Sequence, residues 1–137
     1  MNNTKHTMNI TRNPVGWFEI YVDNMSRAKG FYEAVFTTQL AMLGNPVADD
    51  SDLEMWAFPM EMAVPGSSGA LCKMNGCKAG SGGTLIYFSC EDCAVEAGRV
   101  VVNGGSLYKE KMSIGEYGFI AIACDTEGNT IGLHSLK

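Results

Sequence analysis

The chain has 137 residues, a hydrophobic fraction of 46% and a formal net charge of −5, which is typical of one compact domain with its own core. The acidic balance and the lack of any Lys/Arg cluster argue against a nucleic-acid partner, because phosphate binding needs a basic patch. No apolar run approaches the roughly 20 residues of a membrane span, so no membrane insertion is expected. Five cysteines, an odd number, in a chain large enough to need no disulfide predict a cytoplasmic location.

The first predicted element follows a polar N-terminal segment. Residues 1–13 lack the apolar stretch of a secretion signal and are predicted to be a disordered tail. The run "GWFEIYVDN" then predicts a strand, whose side chains alternate between two faces. One face carries Phe18, Ile20 and Val22, and the other carries Trp17, Glu19 and Tyr21. The first face is apolar and predicts core packing, whereas the second places a carboxylate between two aromatic rings. That face is either solvated or lines a cavity.

The later elements repeat one order. The run "DNMSRAKGFYEAVF" predicts a helix capped by Asn24 or Ser26, and strands are predicted in "TTQLAML", "DLEMWAFPM" and "SGALCKM". The Gly-rich "NGCKAGSGG" predicts a linker. After it come a strand in "TLIYFSCED", a helix in "CAVEAGRVVVNGG", and strands in "SLYKEKM", "YGFIAIACD" and "NTIGLHSL". In the second helix, Ala94, Ala97 and Val101 are predicted to form the buried stripe.

The chain therefore spells β-α-β-β-β twice. A shift of 68 residues (87 minus 19) places Glu19 on Tyr87, and also Asn24 on Asp92. Such an internal duplication predicts an α+β domain over residues 14–137, with module one at about 14–75, a linker at about 76–83 and module two at about 84–137. With the helices outside, the paired βαβββ modules would form an open, cup-shaped mixed β-sheet. Glu19 and its two aromatic neighbours would face the cup.

Two stretches carry a family resemblance. The run "WFEIYVDNMSRAKGFYEAVF", the later "NGGSLYKEKMSIGEYGFIAIACDTEGNTIGLHS" and the doubled βαβββ order resemble the vicinal oxygen chelate superfamily over residues 14–136. That superfamily includes glyoxalase I, the extradiol dioxygenases and the bleomycin- and fosfomycin-resistance proteins. The resemblance implies a paired-module cup. In the family's enzymes it also implies a divalent metal ion, held by His or Glu from the first and last strands of each module, that acts as a Lewis acid.

The metal positions implied by the resemblance carry no suitable side chains. Three of them fall on Trp17, Leu85 and Gly132, and the fourth lies within "GALCKM", where Cys72 is the nearest candidate. We therefore expect no metal cofactor at the family's usual place. Glu19 and His134 lie two residues further along the first and last strands. The favoured interpretation is that they hydrogen-bond each other or a ligand, and the alternative is that they hold one divalent metal ion.

The predicted function is binding of a small organic molecule in the cup without a metal. The ligand-binding candidates share the cup face or its mouth: Trp17, Glu19, Tyr21, Leu85, Tyr87, Tyr117, Gly132 and His134. The alternative is a glyoxalase-like lyase or dioxygenase-type enzyme that uses either a metal or Glu19 as a general base. A third class is a regulatory protein whose cup is filled by its own side chains. Because open sheet edges need covering, a homodimer is also predicted.

The cysteines allow a further alternative. The run "CEDC" at residues 90–93 has the spacing of a redox pair, and Cys72 and Cys77 could join it as zinc ligands. Packing of small apolar side chains is the favoured interpretation.

Overall fold

The computed structural model of the chain describes residues 13, 15, 17–44, 52–82 and 84–137. The predicted N-terminal tail lies outside the described residues except for Asn13. The first module holds β1 (Phe18–Tyr21), α1 (Met25–Phe36), β2 (Ala41–Leu43), β3 (Glu54–Ala57) and β4 (Gly69–Lys73). The second module holds β5 (Ile86–Ser89), α2 (Cys93–Val102), β6 (Ser106–Ser113), a short 3-10 helix (Gly115–Tyr117), β7 (Phe119–Cys124) and β8 (Thr130–Ser135).

Each module forms one four-stranded mixed sheet. The strand orders are β1-β4-β3-β2 and β5-β8-β7-β6, and the first strand of each module runs parallel to its last. The bounds of β1 become the bounds of β5 under the 68-residue shift, and the first residue of α1 likewise becomes that of α2. The predicted α+β class and the doubled βαβββ order are therefore confirmed.

The start of α1 agrees with the prediction from the sequence, but the buried face of α2 does not. Asn24 caps α1 by accepting a hydrogen bond from the Arg27 N–H at 2.9 Å, and Asp92 caps α2. In α2 the predicted stripe is wrong at Ala94 and Val101, which are exposed. The sheet instead covers the face of Cys93, Ala97 and Val100. These residues are four and three positions apart, as expected for one face of a helix, and share only Ala97 with the predicted stripe.

One apolar core serves both modules. Ile20 and Val22 pack with both helices and with apolar residues of β4 and β8, so the predicted core face of β1 is confirmed. The opposite face of the first sheet carries a second, smaller cluster of Met55, Ala57, Ala70 and Cys72, against which Tyr21 packs. Part of the predicted cup face in the first module is thus filled by its own side chains.

A buried polar network joins the two modules. It starts from the turn "DTEGN" between β7 and β8, where Asp125, Glu127 and Asn129 are buried. Glu127 accepts hydrogen bonds from the backbone N–H groups of Asp23 and Asn24 at 3.1 and 2.9 Å, and it pairs with Arg27. The Tyr32 hydroxyl donates to Asp125 Oδ2 at 2.7 Å, and Asn129 Nδ2 donates to the Tyr21 carbonyl at 2.9 Å. The second module therefore holds the start of the first helix.

The helices in the described part of the chain are too short or too polar to cross a membrane.

Candidate functional site

The carboxylate in β1 lies on the face opposite the helices. Glu19 is exposed, and its two oxygens accept hydrogen bonds from Trp17 Nε1 at 3.3 Å and from the Tyr21 hydroxyl at 2.8 Å. The hydrogen bond to Glu19, together with partial burial, raises the pKa of Tyr21 to about 12, so Tyr21 is a neutral donor. Glu19 is therefore placed between its two aromatic neighbours as predicted. Glu19 is exposed, however, whereas the general-base alternative would be favoured by a buried carboxylate.

The corresponding face of the second module is apolar. Leu85 and Tyr87 expose 40% and 46% of their surface. The ring of Tyr87 covers Gly132 so closely that a Cβ atom at Gly132 would lie 2.3 Å from it. A larger residue at Gly132 would therefore have to displace the ring.

His134 has a partner other than Glu19. Its Nε2 lies 2.7 Å from the Tyr117 carbonyl oxygen, and because a carbonyl only accepts, Nε2 donates the proton. The predicted hydrogen bond between Glu19 and His134 is not formed, since each side chain is engaged elsewhere. Tyr117 contributes its backbone carbonyl, while its side chain on the 3-10 helix is 67% exposed.

The strand register shows which residues of β4 and β8 are counterparts. Tyr87 pairs with Gly132, and its counterpart Glu19 pairs with Ala70. Ala70 is therefore the counterpart of Gly132, whereas Cys72, the nearest candidate in the sequence, is the counterpart of His134.

The residues present do not fit the metal that the resemblance implies. Trp17, Ala70, Leu85 and Gly132 offer no ligand atom on their side chains for a divalent ion. His134 uses Nε2 as a donor, and Glu19 already accepts two hydrogen bonds. Among the residues that the structure describes, no three His, Cys, Asp or Glu side chains are grouped closely enough to hold an ion. The alternative pair of Glu19 and His134 by itself would supply only two ligands, fewer than the three protein ligands of a typical catalytic zinc site.

Two of the cysteines, Cys72 and Cys93, belong to the packed apolar clusters. All five are free, and Cys72 and Cys93 are fully buried. Burial raises the pKa of the Cys72 and Cys90 thiols to about 12, so both are protonated and poorly nucleophilic. The structure gives no support to a redox or zinc site in "CEDC".

Two cavities lie where β1 of the first module meets β5 of the second, a region called here the module junction. The larger has a volume of about 390 Å³ and is lined by Phe18, Phe58, Ile86, Tyr87, Phe88 and Ser89, and by residues 59, 61 and 64–68 of the β3–β4 connection. The smaller has a volume of about 200 Å³, and its walls include Glu19, Tyr21, Lys78, Ser81, Thr84 and Asn129.

Only some of the predicted ligand-binding residues line a cavity. Glu19 and Tyr21 line the smaller cavity and Tyr87 lines the larger one. The others line neither cavity: Trp17, Leu85, Tyr117, Gly132 and His134.

Sequence reasoning missed two walls of these cavities. The Gly-rich stretch interpreted as a linker lies against both modules, because the Ala79 N–H donates to Asp23 Oδ1 and the Gly80 N–H to Asn129 Oδ1. The connection between β3 and β4 supplies the second wall. The composition of this loop could have indicated a binding surface, because Met60, Met62 and Val64 are apolar residues exposed on a loop.

Comparison with known proteins gives structural matches only. No family model and no curated protein sequence matches the chain. Glyoxalase I from Zea mays superposes with a TM-score of 0.66 at 16% identity, covering 89% of this chain and 46% of the maize chain. This chain thus spans about half the length of that enzyme.

Two further solved structures match over nearly their whole length. The antibiotic binding protein TnmS3 from Streptomyces sp. CB03234 gives a TM-score of 0.64 at 17% identity, with 94% of this chain and 100% of that chain covered. A glyoxalase/bleomycin resistance protein from Albidiferax ferrireducens gives 0.60 at 18% identity, with 88% and 98% covered. Identities this low establish a fold and not an activity. The chain therefore has a paired-βαβββ fold similar to that of these three proteins.

Proposed function

We propose that this protein is a metal-independent binding protein for a small organic molecule, which it takes up at the module junction. The observation that carries the proposal is the larger cavity of about 390 Å³, whose aromatic walls come from both modules. Its volume falls within the usual range for small-molecule sites, which are mostly apolar with a few polar groups.

Two observations favour binding over the enzyme alternatives. The four positions that would hold the family's metal carry no donor side chain, so the Lewis-acid chemistry of its enzymes has no support here. Glu19 is exposed and already accepts hydrogen bonds from Trp17 and Tyr21, which weakens its case as a general base. The name of the similar TnmS3, an antibiotic binding protein, is compatible with sequestration of a ligand on this fold.

The proposal predicts binding that is independent of metal. Protein purified without a chelator should contain far less than one divalent ion per chain by elemental analysis. It should bind uncharged aromatic compounds from a fluorescence screen with the same affinity in the presence of EDTA or of added Zn²⁺, Ni²⁺ or Mn²⁺. Because an ion bound only to the folded state stabilises it, EDTA should also leave the melting temperature unchanged. About one ion per chain, with ligand binding lost on its removal, would support the enzyme alternative instead.

We also propose that the protein forms a homodimer. The outer strands β2 and β6 are the ends of their sheets, and the eight-residue β6 exposes Tyr108 and Met112. Unpaired strand edges favour association with a second copy, most simply around a two-fold axis. Light scattering at micromolar concentration should therefore give about twice the chain mass of 14.8 kDa, and a monomer mass would contradict the proposal.

A further inference from the structure

We infer that the larger cavity at the module junction selects an uncharged, flat aromatic compound, and that the connection between β3 and β4 (residues 58–68) forms the wall that contacts it. The inference rests on the proposed binding function and adds the class of ligand. Its basis is a comparison between two turns that the internal duplication makes equivalent.

The two turns occupy the same place in their modules. Because Ala70 pairs with Glu19 as Gly132 pairs with Tyr87, the last strands are related by a shift of 62 residues (132 minus 70). Under that shift "AVPGS" at 63–67 corresponds to "DTEGN" at 125–129. Both turns carry a glycine in the left-handed region at the same point, Gly66 with φ 98° and Gly128 with φ 87°. The backbone requirement is shared, and the side chains differ.

The difference lies in the side chains that attach the turn to a helix. In the second module Asp125, Glu127 and Asn129 bind α1 and β1 of the first module. Their counterparts in the first module are Ala63, Pro65 and Ser67, which contain no carboxylate.

Helix α2 also differs from α1 at the position that corresponds to Arg27. Val95 is the counterpart of Arg27 (27 plus 68) and is 49% exposed. The first N–H groups of α2 are bound instead by Ser135 Oγ and Asp92 Oδ1. The "AVPGS" turn therefore lacks the ionic and carboxylate contacts that hold "DTEGN" against a helix, and the larger cavity lies beside it.

Aromatic rings dominate the inner wall of this cavity. The ring centroids of Phe18, Phe58 and Phe88 lie 5.8 to 5.9 Å from one another, which places three rings around one point. Rings at this spacing contact one another, so they form one continuous aromatic surface against which a flat aromatic ligand can pack. Ser67 and Ser89 also line the cavity and provide hydroxyl groups for one or two polar atoms of that ligand.

The charges on the wall disfavour an ionic ligand. Among the described residues that line the cavity there is no Lys, Arg or His, and the one charged side chain is that of the exposed Glu61. A ligand anion would lose hydration without gaining a cationic partner, in a protein with a net charge of −5. An uncharged ring system avoids both the loss of ionic hydration and the repulsion by the negatively charged protein.

The outer wall, formed by the loop, combines apolar residues such as Val64 with polar residues such as Ser67. Met60, Met62 and Val64 are 57%, 100% and 57% exposed, and Val64 also lines the cavity. A bound aromatic compound would cover Val64 and remove apolar surface from water.

The test compares two dyes that differ by one charge. N-phenyl-1-naphthylamine is uncharged, and 8-anilinonaphthalene-1-sulfonate is the same ring system with a sulfonate. By fluorescence titration of the full chain we expect one uncharged dye per chain, with the sulfonate bound at least about tenfold more weakly. Val64→Lys and Ser67→Trp, which change exposed lining residues, should weaken binding of the uncharged dye at least about fivefold.

Matched variants away from the cavity control for surface and folding effects. Val101→Lys changes a valine that is 54% exposed on α2, and Ser106→Trp changes an exposed serine on β6. Both should leave the dye affinity within about twofold, because neither residue lines a cavity and exposed substitutions rarely perturb a fold.

The outcomes separate the inference from the proposed function. Equal binding of the two dyes, or unchanged binding in both Val64→Lys and Ser67→Trp, would overturn the inference. Loss of binding in Glu19→Gln, with retention in Val64→Lys, would overturn it and leave the proposed function standing, with the ligand in the smaller cavity. A Val64→Lys protein that changes from dimer to monomer but binds the dye normally would make this turn an interface between copies and overturn the inference. If no uncharged or charged aromatic compound binds, the proposed function fails together with it.

Discussion

Glu127→Gln is expected to lower the free energy of unfolding at pH 7 by about 3 kcal/mol. The side chain of Glu127 is fully buried and accepts hydrogen bonds from two backbone N–H groups, from Arg27 and from the Thr126 hydroxyl. Glutamine keeps the shape but replaces one acceptor oxygen with an NH₂ group, which would face donors and leave Arg27 without its counter-charge.

The same contacts make the effect depend on pH. Burial alone would raise the pKa of Glu127, but hydrogen bonds from Arg27, from the Asn24 N–H and from Thr126 outweigh it and lower the pKa from 4.5 to about 2. A group whose pKa is lower in the folded state contributes stability above its unfolded pKa and loses it as the pH falls. The contribution should therefore be complete above about pH 4.5 and disappear towards pH 2, with a total of about 3 kcal/mol for a shift of this size.

Urea unfolding of the wild type and Glu127→Gln at several pH values between 7 and 2.5 measures this contribution. The difference in stability between the two proteins should shrink as the pH falls below 4.5. Glu110→Gln, at an exposed position on β6, is the matched control and should stay within about 0.5 kcal/mol of the wild type. A difference that is the same at pH 7 and pH 2.5 would show that the charge of Glu127 is not what joins the modules.

Leu71→Ala is expected to destabilise the protein by about 3 to 4 kcal/mol. Leu71 lies in β4 on the helix-facing side, is 0% exposed and belongs to the core shared by the two modules. Truncation removes apolar contacts and leaves a void that a close-packed core cannot fully collapse. Because Leu71 lines neither cavity, ligand affinity of the folded variant should be unchanged.

Leu85→Ala provides the matched comparison for the opposite face. Leu85 is 40% exposed, so its truncation should cost less than about 1 kcal/mol. Denaturant titration of both variants measures the two values. A larger loss for Leu85 than for Leu71 would mean that Leu85 is covered in solution, as it would be in a dimer that buries this face.

Short-range patterns in the sequence were sufficient to predict the order of the helices and strands and to assign the two faces of β1. Alternation along a strand assigns Ile20 and Val22 to the core because neighbouring side chains must point to opposite faces. The same logic places Glu19 beside Trp17 and Tyr21, which are two residues away on either side and do form its hydrogen bonds. The 68-residue repeat was visible because strand bounds and helix caps are local signals.

The buried face of α2 was harder to assign for a physical reason. Val95, Val101 and Val102 are exposed, so apolar residues lie on several sides of this helix. When periodicity does not distinguish one face, the sheet against which the helix packs decides which side is buried. Only the tertiary structure shows that this is the side of Cys93, Ala97 and Val100.

The candidate site was the hardest part to predict, because it depends on contacts between residues that are distant in the sequence. By itself the sequence determined the doubled βαβββ order and the face of β1 on which Glu19 lies beside Trp17 and Tyr21, because each depends on residue identity or on near neighbours. The tertiary structure alone decided that His134 binds the Tyr117 carbonyl, that Ala70 is the counterpart of Gly132, and that the cavities lie at the module junction. The Glu127 carboxylate and the Asn24 N–H that it binds are 103 positions apart in the chain. No local pattern specifies such pairs, because their distance depends on how the two modules pack.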